Sequence, residues 1–195
     1  MVTVPESVRA YSERPDIRTA VDLLLSKDTP EVPETLEWGE LSSFYRAVLA
    51  AHQTQIDFAV LLNDVWSAVW GHPGHAWIAR LPRKPGSKAL AVSPRNVWDE
   101  GCFTRGFDNS SLWLELSVCL EDPSGFQLGL ALEREGESLL KDGMLDGWDM
   151  DGSDYLWSAT GLATLAEEVD LRSLEEQASK ALQLINSMNA ASSER

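Results

Sequence analysis

Apolar residues recur at helical spacing near both ends of the chain and alternate with polar ones in its middle. That order predicts an α+β fold. Ala20, Val21, Leu24 and Leu25 share one side of a helical pattern from Ile17 to Ser26, with Asp16 as its cap. Residues 27–38, with Pro30, Pro33 and several acidic side chains, predict a loop or linker. From Glu40 to Trp70 there is neither glycine nor proline. Leu41, Phe44, Val48, Ile56, Val60, Val65 and Ala68 keep a helical spacing there, and Gly71 with Pro73 supplies the stop. This predicts one long helix, or two joined at a solvated patch, His52–Gln53–Thr54–Gln55.

The period then shortens to two. Ala76–Leu81 and Lys88–Ser93 predict short strands around a basic loop, and Asn96–Trp98 and Cys102–Phe107 predict further ones. In Leu112–Leu120, Trp113, Glu115, Ser117 and Cys119 alternate with Leu114, Leu116, Val118 and Leu120. With Phe126–Leu132 and the intervening Asp122–Pro123–Ser124–Gly125 turn, this segment predicts an antiparallel hairpin. Glu137–Leu145 predicts a short helix and Tyr155–Ala159 a last strand. The final helix starts at the capping box Ser173-x-x-Glu176, or one turn earlier at Asp170. Leu174, Ala178, Ala181, Ile185 and Met188 give it one apolar stripe. The expected architecture is therefore N-terminal helices (one of them long), a central antiparallel β-meander, and a C-terminal amphipathic helix packed on the sheet. Residues 1–39 form an N-terminal helix and acidic linker, 40–189 a single α+β domain, and 190–195 a frayed tail.

Composition sharpens this picture through charge. Between Asp108 and Glu176 lie seventeen acidic and three basic residues, so this segment carries nearly all of the net −15. Such a field disfavours direct contact with nucleic-acid phosphates or an anionic membrane and favours a basic protein partner. One version of that partner is itself a nucleic-acid-binding protein, with the carboxylates standing in for phosphates. A compensating basic patch, Arg80, Arg83, Lys84, Lys88, Arg95 and Arg105, keeps a hairpin tip soluble or supports self-association with the acidic face of a second copy. Met1–Arg18 has no apolar core of a signal peptide, and no run reaches the ~20 apolar residues of a membrane helix. Two cysteines, Cys102 and Cys119, are too few for a disulfide framework and fit a reduced, cytoplasmic compartment.

Eight tryptophans are the other departure from ordinary composition. Most should fill the core, but Trp148 stands among Asp142, Asp146, Asp149, Asp151 and Asp154, interleaved with glycines. An indole ringed by carboxylates has the anatomy of an interaction hot spot, and these six residues are the candidate partner-binding site. The same cluster fails as a calcium loop. With Gly152 as the turn glycine, Gly147 and Ser158 would hold the first and twelfth ligand positions, where Asp and Glu are required. His72 and His75 lack the further ligands of a zinc site. No G-x-S-x-G, glycine-rich phosphate loop or H-E-x-x-H occurs, and Leu132–Glu133–Arg134–Glu135 lacks the lysine of a metal-dependent nuclease strand. Neither a catalytic residue nor a metal or cofactor is assigned. The reading is a non-enzymatic acidic binding protein of inhibitor, immunity or chaperone type. The alternative is a small enzyme or ligand-binding domain with Asp or Glu residues in a Trp-lined pocket.

Overall fold

The computed structural model describes residues 2–26, 37–71, 93–109, 112–121, 125–152, 154–158 and 168–193. Strand β1 (Val2–Thr3) leads into helices α1 (Glu6–Glu13), α2 (Pro15–Leu25) and α3 (Trp38–Val69). Helix α4 (Pro94–Glu100) precedes strands β2 (Cys102–Asn109), β3 (Leu112–Glu121), β4 (Gly125–Arg134) and β5 (Glu137–Ser138). Strands β6 (Trp148–Asp151), β7 (Tyr155–Ser158) and β8 (Glu168–Val169) and helix α5 (Arg172–Ser193) complete the chain. The fold is α+β, with an antiparallel sheet ordered β2-β3-β4-β7-β6, β5 pairing with β4 off that path, and a separate β1-β8 ladder.

The hairpin β3–β4 forms in the register its alternation demands, Leu116 opposite Leu130 and Val118 opposite Leu128. Leu114, Leu116 and Val118 of β3, with Leu128, Leu130 and Leu132 of β4, bury one face of the sheet. Helix α5 covers it with Leu174, Ala178, Ala181, Leu182 and Ile185, and α3 covers it with Leu61, Leu62, Val65, Trp66 and Trp70. Trp66 and Trp70, one helical turn apart, donate their indole N–H groups to the carbonyls of Leu116 and Ser117 at 2.8 and 3.2 Å. Arg105 lies on the helix side of β2, its guanidinium 4.4 Å from the Trp66 ring centre, and donates to Asn63 Oδ1 at 2.9 Å.

Several expectations are corrected. The long helix is unbroken, and within its polar patch Thr54 and Gln55 are buried while His52 and Gln53 face out. Asn96–Trp98 is not a strand but part of α4, started by Pro94 at its first turn and ended at Gly101. Glu137–Leu145 is not a helix. Its first two residues pair with β4, and the turns that follow that pair hold Gly143 and Gly147 at φ of 74° and 76°, which no helix accommodates. Helix α1, which the sequence reading passed over, is anchored by Ser7, whose hydroxyl donates to Asp57 of α3 at 2.5 Å. The expected strands Ala76–Leu81 and Lys88–Ser93 fall outside the described residues, except for Ser93, which caps α4.

Candidate functional site

The acidic segment contains one edge of the sheet formed by the described strands. Among the described strands β6 is the terminal one, four residues long, and alternation puts Asp149 and Asp151 on the face away from the helices and Trp148 on the face toward them. Trp148 is 3% exposed and belongs to the main core cluster, so its assignment as an exposed anchor is corrected. The period-two rhythm of a strand, hidden by the short length of β6, turns the indole inward while its neighbours stay wet. Its indole N–H has no hydrogen-bond partner among the described residues.

The five aspartates are all exposed, but they do not converge. Asp149 and Asp151 share one side of β6, whereas Asp142, Asp146 and Asp154 sit in separate turns. Among the described residues no group of three His, Cys, Asp or Glu side chains could hold a metal ion. The pair His72 and His75, and Arg80, Arg83, Lys84 and Lys88 of the basic patch, lie outside the described residues. Of the remaining two, Arg95 is bound to Asp99 at 2.9 Å and Arg105 lies over Trp66.

A groove of about 430 Å³ opens on the face of the sheet away from the helices. Asp149 and Asp151 line it together with Glu100, Gln127, Leu120, Met150, Trp157 and the Cys102–Cys119 pair. Three carboxylates and no cation are among its described lining residues. The floor is apolar and aromatic, because Trp157 lies flat across Gly129. A Cβ added to Gly129 would come within 2.3 Å of the Trp157 ring. Tyr155 stacks beside Trp157 with centroids 5.6 Å apart and an interplanar angle of 14°, and its hydroxyl donates to the Glu115 carboxylate two strands away. Gln127 is held by a hydrogen bond from its amide to the Ser158 carbonyl at 2.9 Å.

The two cysteines, too few for a framework, nevertheless form one disulfide with each other. They are direct partners in the β2–β3 ladder, with Cα atoms 4.0 Å apart. The Leu120 N–H donates to the Gly101 carbonyl one position away, so the cysteines occupy the non-hydrogen-bonded site where opposed side chains approach most closely. The expectation of a reduced compartment rested on two cysteines being too few for a disulfide framework. No helix among the described residues is long and apolar enough to cross a membrane.

A second, smaller cavity of about 190 Å³ lies among Tyr11, Arg18, Phe58 and Trp98. Arg18 is committed there to the Ser12 carbonyl at 2.7 Å and to the Tyr11 ring, so it presents no ready anion site. Sequence reasoning missed Trp157, Gln127 and Glu100 as groove residues. The signal for Trp157 was its alternation with Tyr155 on the same side of a short strand, but Glu100 and Gln127 are far apart in sequence and only the sheet register unites them. No family model matches this chain, and neither a curated protein nor a solved structure matches it.

Proposed function

We propose that this chain is a binding protein that takes a basic segment of a protein partner in the groove beside β6. The observation that carries this reading is the lining itself, three carboxylates around an aromatic floor with no cation among the described lining residues. An arginine or lysine fits both parts. Its aliphatic stem and charged head lie over the Trp157 ring, and the head reaches Asp149 and Asp151 at the rim. Since no three of the acidic groups converge, an extended organic cation suits the groove better than a metal ion. Asp142, Asp146 and Asp154 then act at longer range, raising the rate of encounter rather than gripping the partner.

The test measures binding of short arginine-rich and lysine-rich peptides, with an acidic peptide of equal length as control. Quenching of tryptophan fluorescence that is lost in Trp157→Phe, together with calorimetry, reports the contact. Asp149→Asn/Asp151→Asn should weaken binding at least tenfold, whereas the charge-matched Glu13→Gln/Asp64→Asn should change it less than twofold. Equal losses in both double variants would reduce the effect to bulk charge and dismiss the groove. Affinity should fall steeply with salt. A partner captured from lysate whose binding is also competed by DNA would be a nucleic-acid-binding protein, the narrower form of this reading.

A further inference from the structure

Helix α3 carries an apolar stripe that the described residues leave uncovered. Trp38 is 84% exposed, Tyr45 59%, Leu49 68%, Ile56 43% and Val60 48%. At ~100° per residue these five side chains fall within about 60° of arc. The buried residues of the same helix, among them Phe58, Leu61 and Val65, lie on the opposite side. From Glu37 to Ala50 no residue is buried, so the first half of the helix rests against little of the described structure. The exposed apolar area is on the order of 600 Å², at the upper end of what the surface of a monomer usually presents.

The stripe is complementary to itself. Trp38, Ser42, Tyr45, Leu49, His52 and Ile56 follow steps of four and three, the seam of a coiled coil, and none of them is Asp, Glu, Lys or Arg. Laid antiparallel against a second copy about Ala47, Trp38 meets Ile56, Tyr45 meets Leu49 and Ser42 meets His52. Apolar residues then face apolar ones, and the two symmetry-related polar layers each set Ser42 against His52. A parallel pairing would instead set His52 on His52 and bring the two acidic bodies, each of net charge −15, side by side. The antiparallel arrangement sends them to opposite ends. Two such stripes bury on the order of 1,200 Å², within the range of specific interfaces.

We infer that the exposed face of α3 is a homodimer interface, formed with a second copy of this chain as an antiparallel helix pair centred near Ala47. The interface is isologous, as a two-fold dimer requires. It is also separate from the acidic groove, so its success or failure is independent of the function proposed above.

Sedimentation velocity on the full chain tests it. The protein should sediment at twice its 21.6 kDa mass at micromolar concentration, with the dimer favoured by added salt because the two copies repel. Tyr45→Glu/Leu49→Glu should yield monomers with an unchanged circular dichroism spectrum and melt, since both positions are exposed. Orientation is read by oxidative cross-linking. Ser42→Cys mixed with His52→Cys should give a cross-linked heterodimer, and Ser42→Cys alone should not cross-link. A wild-type monomer at ~100 μM in 0.5 M salt would overturn the inference. So would a dimer that salt dissociates and that Asp149→Asn/Asp151→Asn abolishes, because its contact would be the acidic groove. Efficient self-cross-linking of Ser42→Cys would overturn the antiparallel register.

Discussion

Trp66 donates its indole N–H to the main-chain carbonyl of Leu116, fifty residues later, at 2.8 Å. The bond pins the end of α3 to the middle of β3 inside the core, where the carbonyl is out of reach of water. Trp66→Phe keeps most of the bulk but removes the donor, and should cost about 1–3 kcal/mol in urea unfolding. Trp66→Ala adds a cavity and should cost about 3–5 kcal/mol. A loss below about 0.5 kcal/mol for the Phe variant would mean that the bond adds nothing to stability.

Gly129 has no side chain because Trp157 occupies the space. Gly129→Ala places a methyl group 2.3 Å from the Trp157 ring, so either the ring lifts off the sheet or the strand shifts. The expected cost is about 1–3 kcal/mol. Trp157 should also lose its stacking on Tyr155, giving a changed near-UV dichroism spectrum and weaker binding of cationic peptides. Normal peptide affinity in a folded Gly129→Ala variant would show that the flat ring is not the floor the cation uses.

Trp148 is core, and its truncation should behave that way. Trp148→Ala is expected to lower stability by about 3–5 kcal/mol, measured by thermal and chemical unfolding. At temperatures where the variant is still folded, peptide affinity should change little, since the carboxylates flanking it point the other way.

The Cys102–Cys119 bond closes a short loop, with a sequence separation of 17, across a hairpin that backbone hydrogen bonds already hold. Chain-entropy reasoning gives about 3 kcal/mol for a loop of that size. Cys102→Ser/Cys119→Ser should therefore unfold at lower denaturant, and added reductant should move the wild type to the same midpoint. An identical midpoint with and without reductant would show that the bond contributes nothing to stability.

Acid should loosen the start of α5. Hydrogen bonds from the Arg172 side chain, and then from its backbone N–H, hold the Asp170 carboxyl at about 2, below its ordinary 3.8. A carboxyl depressed in the folded state stabilises the protein above its ordinary value, and that contribution disappears as pH falls toward about 2. Asp170→Asn should remove this component, so that the difference in melting temperature between variant and wild type shrinks from pH 5 to pH 2. Because both side chains are exposed, the effect should be small and screened by salt.

Much of the fold was legible in the sequence because long patterns constrain it. The alternation of Leu112–Leu120 against Phe126–Leu132 and the stripe Leu174–Ala178–Ala181–Ile185 leave only one face to bury, and both elements formed accordingly. Short elements carried too little pattern. Asn96–Trp98 reads as well for strand as for helix until Pro94 and Gly101 bracket it, and four residues of β6 could not reveal that Trp148 points inward. The acidic character of the site was visible from charge density alone. Its shape was not, because the groove joins Glu100, Gln127, Asp149 and Trp157 through strand order, and β7 enters between β4 and β6 against the order of the chain.

That strand order gives Asp149 and Asp151 a second consequence. A sheet's last strand has unused backbone donors and acceptors along one side, an open template on which a foreign strand could continue the ladder. Among the described residues that side belongs to a four-residue strand carrying two exposed carboxylates, so acidic strands are discouraged from extending it. The same pair therefore acts as a filter. A strand that paired there would have to bring its backbone past two carboxylates, a cost that positive charge on that strand offsets.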